Sequence, residues 1–302
     1  MKNGSSAAGK TIAVFTKNTT NPAYEAFRLA VDQVARASGA RTRHFVPRVP
    51  DDVDEQKAFV AQALTEKPDV VIFIPVDDVA MVEPVAQMNA ADIPIVLASN
   101  PLPGRFVTFV GADDEAIGYR QARYLFDAMG GKGRIVVLEG TPKAPTNRAR
   151  LAGYRRAFAE TPSITVLASG IGNFQQTDGR RVMEGFLRDH PAIDAVLSAN
   201  DSMALGALEA LDAAGRRAIV IGINGILPAV REIAAGRLLA SVDFNMFKIG
   251  CTAARAAIRC LAGEPLPQRI ILPTEVIDRS NYQAWLTPVE QRTCPEWAET
   301  VR

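Results

Sequence analysis

The stretch DAVLSANDSMALG, residues 194–206, passes from an apolar run through polar residues into a helical pattern. Its first part, up to Ala199, predicts a buried strand because it is short, apolar and bounded by polar residues. The following helix is expected to begin at Ser202. In open α/β sheets, ligands bind in the crevice outside the carboxyl ends of the strands. Asn200 follows such an end and is therefore a candidate ligand contact.

The same order of strand and helix recurs along the chain. The first strand is expected over Thr11–Thr16, and the helix after it begins at Asn21-Pro22. Strands that alternate with helices predict parallel sheets with helices on both faces. A weak internal repeat relates Pro68–Ile74 to Ile193–Ala199, and single cores stop growing at roughly 250–300 residues. We therefore expect the 302 residues to form two similar lobes.

The charge balance excludes several classes of partner. The chain has 34 Lys and Arg against 33 Asp and Glu, a net charge of +1. This is not the charge pattern of a protein that binds nucleic acid or an anionic membrane, so neither partner is predicted. No apolar run approaches the roughly 20 residues that cross a bilayer, so the chain is not expected to span a membrane. Residues 1–10 are polar and small, and are expected to be a disordered start rather than a signal peptide.

Residues for catalysis or metal binding are sparse. His44 and His190 are the only histidines, and their isolation predicts neither a metal site nor a catalytic triad. The run Gly130–Gly133 precedes a strand, and Gly170–Asn173 lacks the third glycine of a dinucleotide loop. We therefore predict no enzymatic activity, no cofactor and no metal.

The three cysteines leave the pairing open. Cys251 and Cys260 are nine residues apart on one predicted helix, which places them about 13 Å apart along its axis on opposite faces. They cannot bridge each other, so either could pair only with Cys294. The favoured interpretation is that all three are unpaired.

Polar and aromatic residues follow several predicted strand ends. Amides both donate and accept hydrogen bonds, an arginine adds a rigid fork of donors, and aromatic faces cover the apolar faces of a sugar-like ring. Each residue also has a structural interpretation, such as a helix cap for Asn21 or a solvent-exposed helix position for Arg148. The candidate ligand contacts are Asn21, Tyr24, Ser99, Asn100, Arg148, Phe174, Asn200, Asn224 and Asn245.

Several segments together carry a family resemblance. They are Thr20–Tyr24, Asp92–Val96, Arg148 with Gly153-Tyr154, Asn200–Ala207 and Ile221–Gly225. The sequence resembles, along nearly its whole length, the ribose-binding type of periplasmic sugar-binding proteins of ABC importers. The resemblance implies an α/β fold of two doubly wound parallel-sheet lobes joined by a three-segment hinge, the type I periplasmic binding protein fold.

The resemblance also sets the expected boundaries and partners. The N-terminal lobe is expected over residues 11–112 and 245–273, and the C-terminal lobe with the tail over 113–244 and 274–302. It implies a periplasmic monomer whose lobes close on a ligand and deliver it to ABC permease subunits. The alternative is the effector domain of a lac-repressor-type regulator or a sensor input module. A regulator would need an N-terminal helix-turn-helix of about 50–60 residues, for which the first strand at Thr11 leaves no room.

Departures from the ribose pattern concern the ligand. Arg148, Phe174 and Asn200 fall on sugar-contacting positions of the family. Ser99-Asn100 replaces an Asp-Arg pair, Asn224 replaces an aspartate, Ala23 replaces an aromatic residue, and Asp243-Phe244-Asn245 stands where a glutamine is expected. We therefore expect a neutral sugar or sugar alcohol rather than a copy of the ribose site.

Overall fold

The computed structural model describes residues 7–301. The strands are β1 (Thr11–Phe15), β2 (Arg41–Phe45), β3 (Val70–Phe73), β4 (Ile95–Ala98), β5 (Thr108–Gly111), β6 (Gly133–Glu139), β7 (Ile164–Ile171), β8 (Ala195–Ser198), β9 (Ile219–Ile223), β10 (Ala240–Val242), β11 (Arg269–Ile271) and β12 (Val276–Ile277). The α-helices are α1 (Pro22–Ala37), α2 (Val53–Glu66), α3 (Val82–Ala90), α4 (Asp114–Ala128), α5 (Pro145–Glu160), α6 (Gln176–Asp189), α7 (Asp201–Ala213), α8 (Leu227–Ala234), α9 (Met246–Leu261) and α10 (Trp297–Thr300). Two 3₁₀ turns lie at Tyr282–Trp285 and Val289–Gln291.

The chain divides into two compact units. The first unit comprises the chain up to Ala112, Met246–Leu272 and the chain from Val289; the second comprises Asp113–Asn245 and Pro273–Pro288. This confirms the expected α/β fold of two parallel sheets with flanking helices.

The first unit contains one parallel sheet in the order β11-β5-β4-β3-β1-β2. Its central strands β3 and β4 are buried along their whole length, as expected for strands covered on both faces. The rings of Phe15, Phe45 and Phe73 pack together in its core, with centroids 4.7 and 5.1 Å apart around Phe15. This packing fixes the ends of β1 to β3, from which the polar loops emerge.

The second unit repeats the arrangement in the order β12-β10-β9-β8-β6-β7, with β12 antiparallel to β10. Its helices α4 and α5 approach closely through glycines. A Cβ on Gly118 would lie 2.3 Å from the main-chain oxygen of Arg150, and one on Gly153 would lie 2.3 Å from that of Glu115. Because no larger residue fits, this close contact fixes α5 against α4 and places Arg150 near the end of β8.

The observed boundaries differ from the expected ones at three places. Two breaks fall one residue from the expected positions, after Asn245 and after Leu272. The tail from Val289 belongs to the first unit rather than to the C-terminal lobe. Residues 1–6 of the expected disordered start lie outside the described residues. Residues 7–10 are ordered, because Ala7 is fully buried and the amide of Gly9 donates to the oxygen of Gly39.

A disulfide explains the placement of the tail. Cys294 is bonded to Cys251 on α9, with their Cα atoms 5.5 Å apart, and Cys260 is free. The side chain of Gln33 on α1 adds hydrogen bonds to the main chain of Arg292 and Cys294. The interpretation of three unpaired cysteines is therefore wrong, because the tail returns to α9 and carries Cys294 within bonding distance of Cys251.

Candidate ligand-binding site

The carboxyl end of β8 is held by side chains from two neighbouring helices. Gln121 on α4 donates from Nε2 to the oxygen of Ser198 at 2.8 Å, and Arg150 on α5 donates from Nη1 to the oxygen of Ala199 at 2.6 Å. Both side chains are buried. The backbone that presents Asn200 is therefore rigidly placed.

Asn200 is the N-cap of α7 and lies after the end of β8, where the sequence analysis expected it. Its Oδ1 accepts from the amide of Met203 at 2.9 Å and caps α7, while its Nδ2 donates to the oxygen of Phe174 at 2.9 Å. Only 1% of the residue is exposed. The cap and the tie to Phe174 hold one amide group at this strand end, and the second Nδ2 hydrogen and the second Oδ1 lone pair give it further bonding capacity.

Arg150, rather than Arg148, is the arginine next to Phe174. Arg150 is 2% exposed, its Nε donates to Asp114 Oδ1 at 2.9 Å, and its guanidinium lies 5.0 Å from the ring centroid of Phe244 and 6.0 Å from that of Phe174. Arg148 is exposed and donates from Nη1 to the oxygen of Lys143 at 2.6 Å. Arg148 was selected from its place after a strand end and from the family resemblance, and its role as a contact stays a prediction. The rotation of α5 turns Arg150, which was not selected, toward the strand ends.

Phe174 adopts a backbone conformation that is rare for an aromatic residue. Its φ is +59°, and that of Asn173 is +49°. The ring passes over Gly140, where a Cβ would lie 2.0 Å from its Cζ atom. The main chain of Gly140 is fixed by a 2.7 Å hydrogen bond from its amide to Asn147 Oδ1. The glycine therefore makes room for the ring beside Arg150.

The ends of β9 and β10 carry the other two predicted contacts of the second unit. Asn224 has φ of +126° and Asn245 has φ of +54°. Asp243 accepts from the amide of Asn245 at 2.6 Å and from Nε1 of Trp285 at 3.0 Å. The indole thus helps to fix the segment Asp243–Asn245, which stands where the sequence analysis expected a glutamine.

Ser99 and Asn100 follow β4 in the first unit and are almost fully buried. Ser99 has φ of +62° and donates from Oγ to Asn100 Oδ1 at 3.1 Å; Asn100 Nδ2 lies 3.3 Å from the oxygen of Pro75. On α1, Asn21 accepts from the amide of Ala23 at 3.0 Å as the N-cap, and Tyr24 is half-buried in the first turn. The cap interpretation of Asn21 is therefore confirmed, and its role as a contact stays a prediction.

Lys17, which the sequence analysis did not select, is a buried cation at the end of β1. It is 2% exposed, and its Nζ lies 4.0 Å from Asp51 Oδ1, beyond hydrogen-bond range. Asp51 also takes a 3.3 Å contact from Asn18 Nδ2. A lysine directly after an apolar strand is the signal that could have found it. A buried ammonium without a short carboxylate contact is well suited to receive a ligand oxygen.

Unusual backbone conformations mark these strand ends. Positive φ values are found at Ser99, Asn173, Phe174, Asn224 and Asn245. Such conformations cost about 1–3 kcal/mol each and persist where the surroundings enforce them, often at ligand sites. Four of the predicted contacts have this conformation, and it also occurs at Asp51, Lys67 and Asp92, so it is compatible with a binding role that stays a prediction.

Burial also perturbs the ionisation of Asp201, which lies directly behind Asn200. The residue is completely buried, and desolvation of its charged form is the main cause that raises its pKa to about 6. Hydrogen bonds from Ser241 and from main-chain amides oppose this shift in pKa, whereas the charge of Asp243 adds to it.

Residues 12–265 match the periplasmic binding protein domain family. The chain belongs to this family. It is 28% identical to the ribose import binding protein of Bacillus subtilis over 267 residues, which cover 88% of this chain and 86% of that protein. Two solved solute-binding proteins of ABC transporters share its architecture at 26% identity, one from Actinobacillus succinogenes with bound D-allose and one from Bacillus halodurans with bound myo-inositol.

These two structures match this member of the family over most of its length. The D-allose complex gives a TM-score of 0.86 and covers 91% of this chain and 99% of its own. The myo-inositol complex gives 0.85 and covers 93% and 98%. Among the described residues, no helix is both long and apolar enough to cross a bilayer.

Proposed function

We propose that this protein is the solute-binding component of an ABC importer and that it binds a neutral sugar or sugar alcohol. The observation that carries the proposal is the set of amide and aromatic side chains at strand ends, with the buried Arg150 beside Phe174, in a chain of the periplasmic binding protein family. Amides and aromatic faces match the hydroxyls and the C–H faces of a polyhydroxy ligand. The proposed contacts are Asn21, Tyr24, Lys17, Ser99, Asn100, Arg150, Phe174, Asn200, Asn224 and Asn245.

Charge pairing supports a neutral ligand. Arg150 has Asp114 at 2.9 Å, and Lys17 has Asp51 at 4.0 Å, so each buried cation already faces a carboxylate. An anionic ligand would have to compete with these carboxylates, whereas a hydroxyl can accept from the ammonium without a charge of its own. The relatives with D-allose and myo-inositol, a cyclic polyol, bind ligands of this class.

The disulfide supports a periplasmic location. Disulfides persist in oxidising compartments such as the bacterial periplasm and are rare in the cytosol. The Cys251–Cys294 bond therefore agrees with the location that the family description implies. Separation of periplasmic and cytosolic fractions, followed by detection of the chain, tests this part of the proposal.

In this function the protein is a monomer that binds its ligand without turnover and delivers it to permease subunits. Members of the family are binding proteins rather than enzymes. The named relatives are importer components or solute-binding proteins, which disfavours the alternative of a transcriptional regulator. Recovery of each sugar unchanged after incubation tests the absence of turnover, and light scattering tests the monomer.

A ligand panel tests the binding proposal. D-ribose, D-allose, myo-inositol and xylitol are compared with a sugar acid and an amino sugar by calorimetry and thermal denaturation. A neutral ligand at 100 times its dissociation constant should add about 2.7 kcal/mol to the free energy of unfolding. Phe174→Leu should weaken binding, while Val166→Ala, at an exposed position of β7, serves as the control. Stabilisation by the charged compounds alone contradicts the proposal.

A further inference from the structure

A buried carboxylate lies beneath the loop that carries Asn224. Asp201, the first residue of α7, is fully buried; its Oδ1 accepts from Ser241 Oγ at 2.7 Å, and its Oδ2 accepts from the amide of Ile226 at 3.0 Å. Ser241 on β10 is also fully buried, and its Oγ accepts from the amide of Gly225 at 3.0 Å. One carboxylate and one hydroxyl thus anchor two consecutive amides directly after Asn224.

Strand β9 leaves room for this carboxylate at Gly222. A Cβ on Gly222 of β9 would lie 2.1 Å from Asp201 Oδ1, so only glycine leaves room for it. Strand β9 runs straight into Asn224, whose φ of +126° has to be enforced by its surroundings. The two anchored amides supply that enforcement immediately on the C-terminal side of Asn224.

The bonding pattern requires two acceptors from Asp201. Ser241 uses its only hydrogen on Oδ1, and the amide of Ile226 uses Oδ2. A carboxylate satisfies both donors, whereas an asparagine side chain would turn an NH₂ group toward one of them. A buried N–H without an acceptor is costly, so such a change releases part of the loop.

We propose that Asp201, together with Ser241, is a positioning residue that fixes Asn224 and its loop in the conformation used to bind ligand. Asp201 does not touch the ligand in this scheme; it acts through Asn224. The inference rests on the proposed sugar or polyol function for the ligand, while the anchoring of the loop can be tested in the ligand-free protein.

The first test measures amide hydrogen exchange of the ligand-free protein by NMR. Asp201→Asn should lower the protection of the Ile226 amide by about tenfold or more, and Ser241→Ala should do the same for Gly225. Ile221→Val, a core change on the same strand β9, is the control: it should lower stability without a selective loss of protection at these two amides. Protection of Gly225 and Ile226 equal to that of the wild type contradicts the proposal. Ser241→Ala removes a single oxygen and decides the question if the Asp201 variant does not fold.

The second test separates positioning from a general loss of structure. The affinity for the tightest of D-ribose, D-allose and myo-inositol is measured by calorimetry for Asp201→Asn, Asn224→Gly and the double variant. Asn224→Gly removes the side chain and tolerates the positive φ. Asp201→Asn alone should weaken binding by about tenfold, and in the Asn224→Gly background by less than about twofold.

Additive losses would show that Asp201 does not act through Asn224 and would overturn the proposal. A wild-type protein that binds none of the three probes contradicts the proposed function instead. The two failures can be told apart, because the exchange experiment needs no ligand.

Discussion

The Nη1 atom of Arg150 donates to the main-chain oxygen of Ala199 at 2.6 Å, one residue before Asn200. The same guanidinium donates to Asp114 through Nε, so one planar group joins α4, α5 and the end of β8. Only an arginine fork can reach both acceptors in fixed directions. The residue therefore couples the stability of the second unit to the placement of its strand-end groups.

Replacement of Arg150 by lysine should test this coupling. Arg150→Lys keeps the charge but cannot make both hydrogen bonds, so we expect a loss of about 1.5–3 kcal/mol in the free energy of unfolding and weaker sugar binding. Arg148→Lys is the matched control on the same helix, with an expected change within about 0.5 kcal/mol. Urea denaturation and calorimetry measure both quantities. Equal effects of the two substitutions would show that Arg150 has no special role in placing the end of β8.

Gly140 should be the position at which a single methyl group disturbs ligand binding. In Gly140→Ala, the new Cβ would lie 2.0 Å from Phe174 Cζ, so the ring has to leave its place beside Arg150. We expect weaker sugar binding, visible by calorimetry. Gly185→Ala, on α6, meets no atom closer than 3.7 Å and should gain about 0.5–1 kcal/mol from helix propensity. Wild-type affinity in Gly140→Ala would mean that the ring is not a contact.

Lys17 should contribute to both stability and binding. In Lys17→Met, a side chain of similar length replaces a buried ammonium whose carboxylate partner is 4.0 Å away. The substitution leaves the mostly buried Asp51 without this cation, so we expect a loss of about 1–3 kcal/mol in the free energy of unfolding. Binding of a neutral sugar should also weaken, because the ligand loses a charged donor. Denaturation and calorimetry on the same samples test the pair of effects, and unchanged affinity would remove Lys17 from the proposed contacts.

The sequence predicted the architecture because each strand is a short apolar run and each helix has a cap or a periodic face. Asn21 caps its helix as the pattern indicated, whereas α7, expected from Ser202, begins one residue earlier with Asn200 as its cap. The approach of Arg150 to the strand ends, which the sequence analysis did not predict, depends on the rotation of α5. Residues two positions apart on a helix point about 200° apart, and helical periodicity alone does not set which one faces the sheet.

The burial of Lys17 and the pairing of Cys294 were not predicted, because both depend on contacts between distant segments of the chain. Lysine is rarely buried, so Lys17 looked like an ordinary exposed residue in the sequence. The pairing of Cys294 depends on the path of the tail across the first unit, which local patterns do not specify. Both errors concern contacts between segments that are distant in sequence.

The disulfide should make a measurable contribution to stability. Cys294→Ser removes the link between the tail and α9, and we expect a loss of about 2–4 kcal/mol by urea denaturation. Cys260→Ser, at the free and half-buried cysteine, is the control with little change. Alkylation of the unfolded protein should modify one thiol without reductant and three with it. Three reactive thiols without reductant would show that the bond does not form.

Asp201 should impose an unusual pH dependence on stability. Because its pKa is raised to about 6 in the folded protein, the folded state binds more protons than the unfolded state between the unfolded value near 4 and pH 6. The contribution of this residue to stability is therefore complete below about pH 4 and is lost as the pH rises through about 6, by about 3 kcal/mol. Carboxylates with lowered pKa values, such as Asp69 and Asp194, act in the opposite direction.

The contribution of Asp201 can be isolated by difference. Urea denaturation of the wild type and of Asp201→Asn is compared from pH 4 to pH 7, and the effects of the other carboxylates cancel because both proteins contain them. We expect the wild type to lose stability relative to the variant as the pH rises, with the steepest change near pH 5, midway between the folded and unfolded pKa values. A carbon NMR titration of the Asp201 carboxyl gives the pKa directly. Parallel stability curves would show that Asp201 ionises with an ordinary pKa, because a buried carboxylate with a raised pKa cannot leave the difference constant.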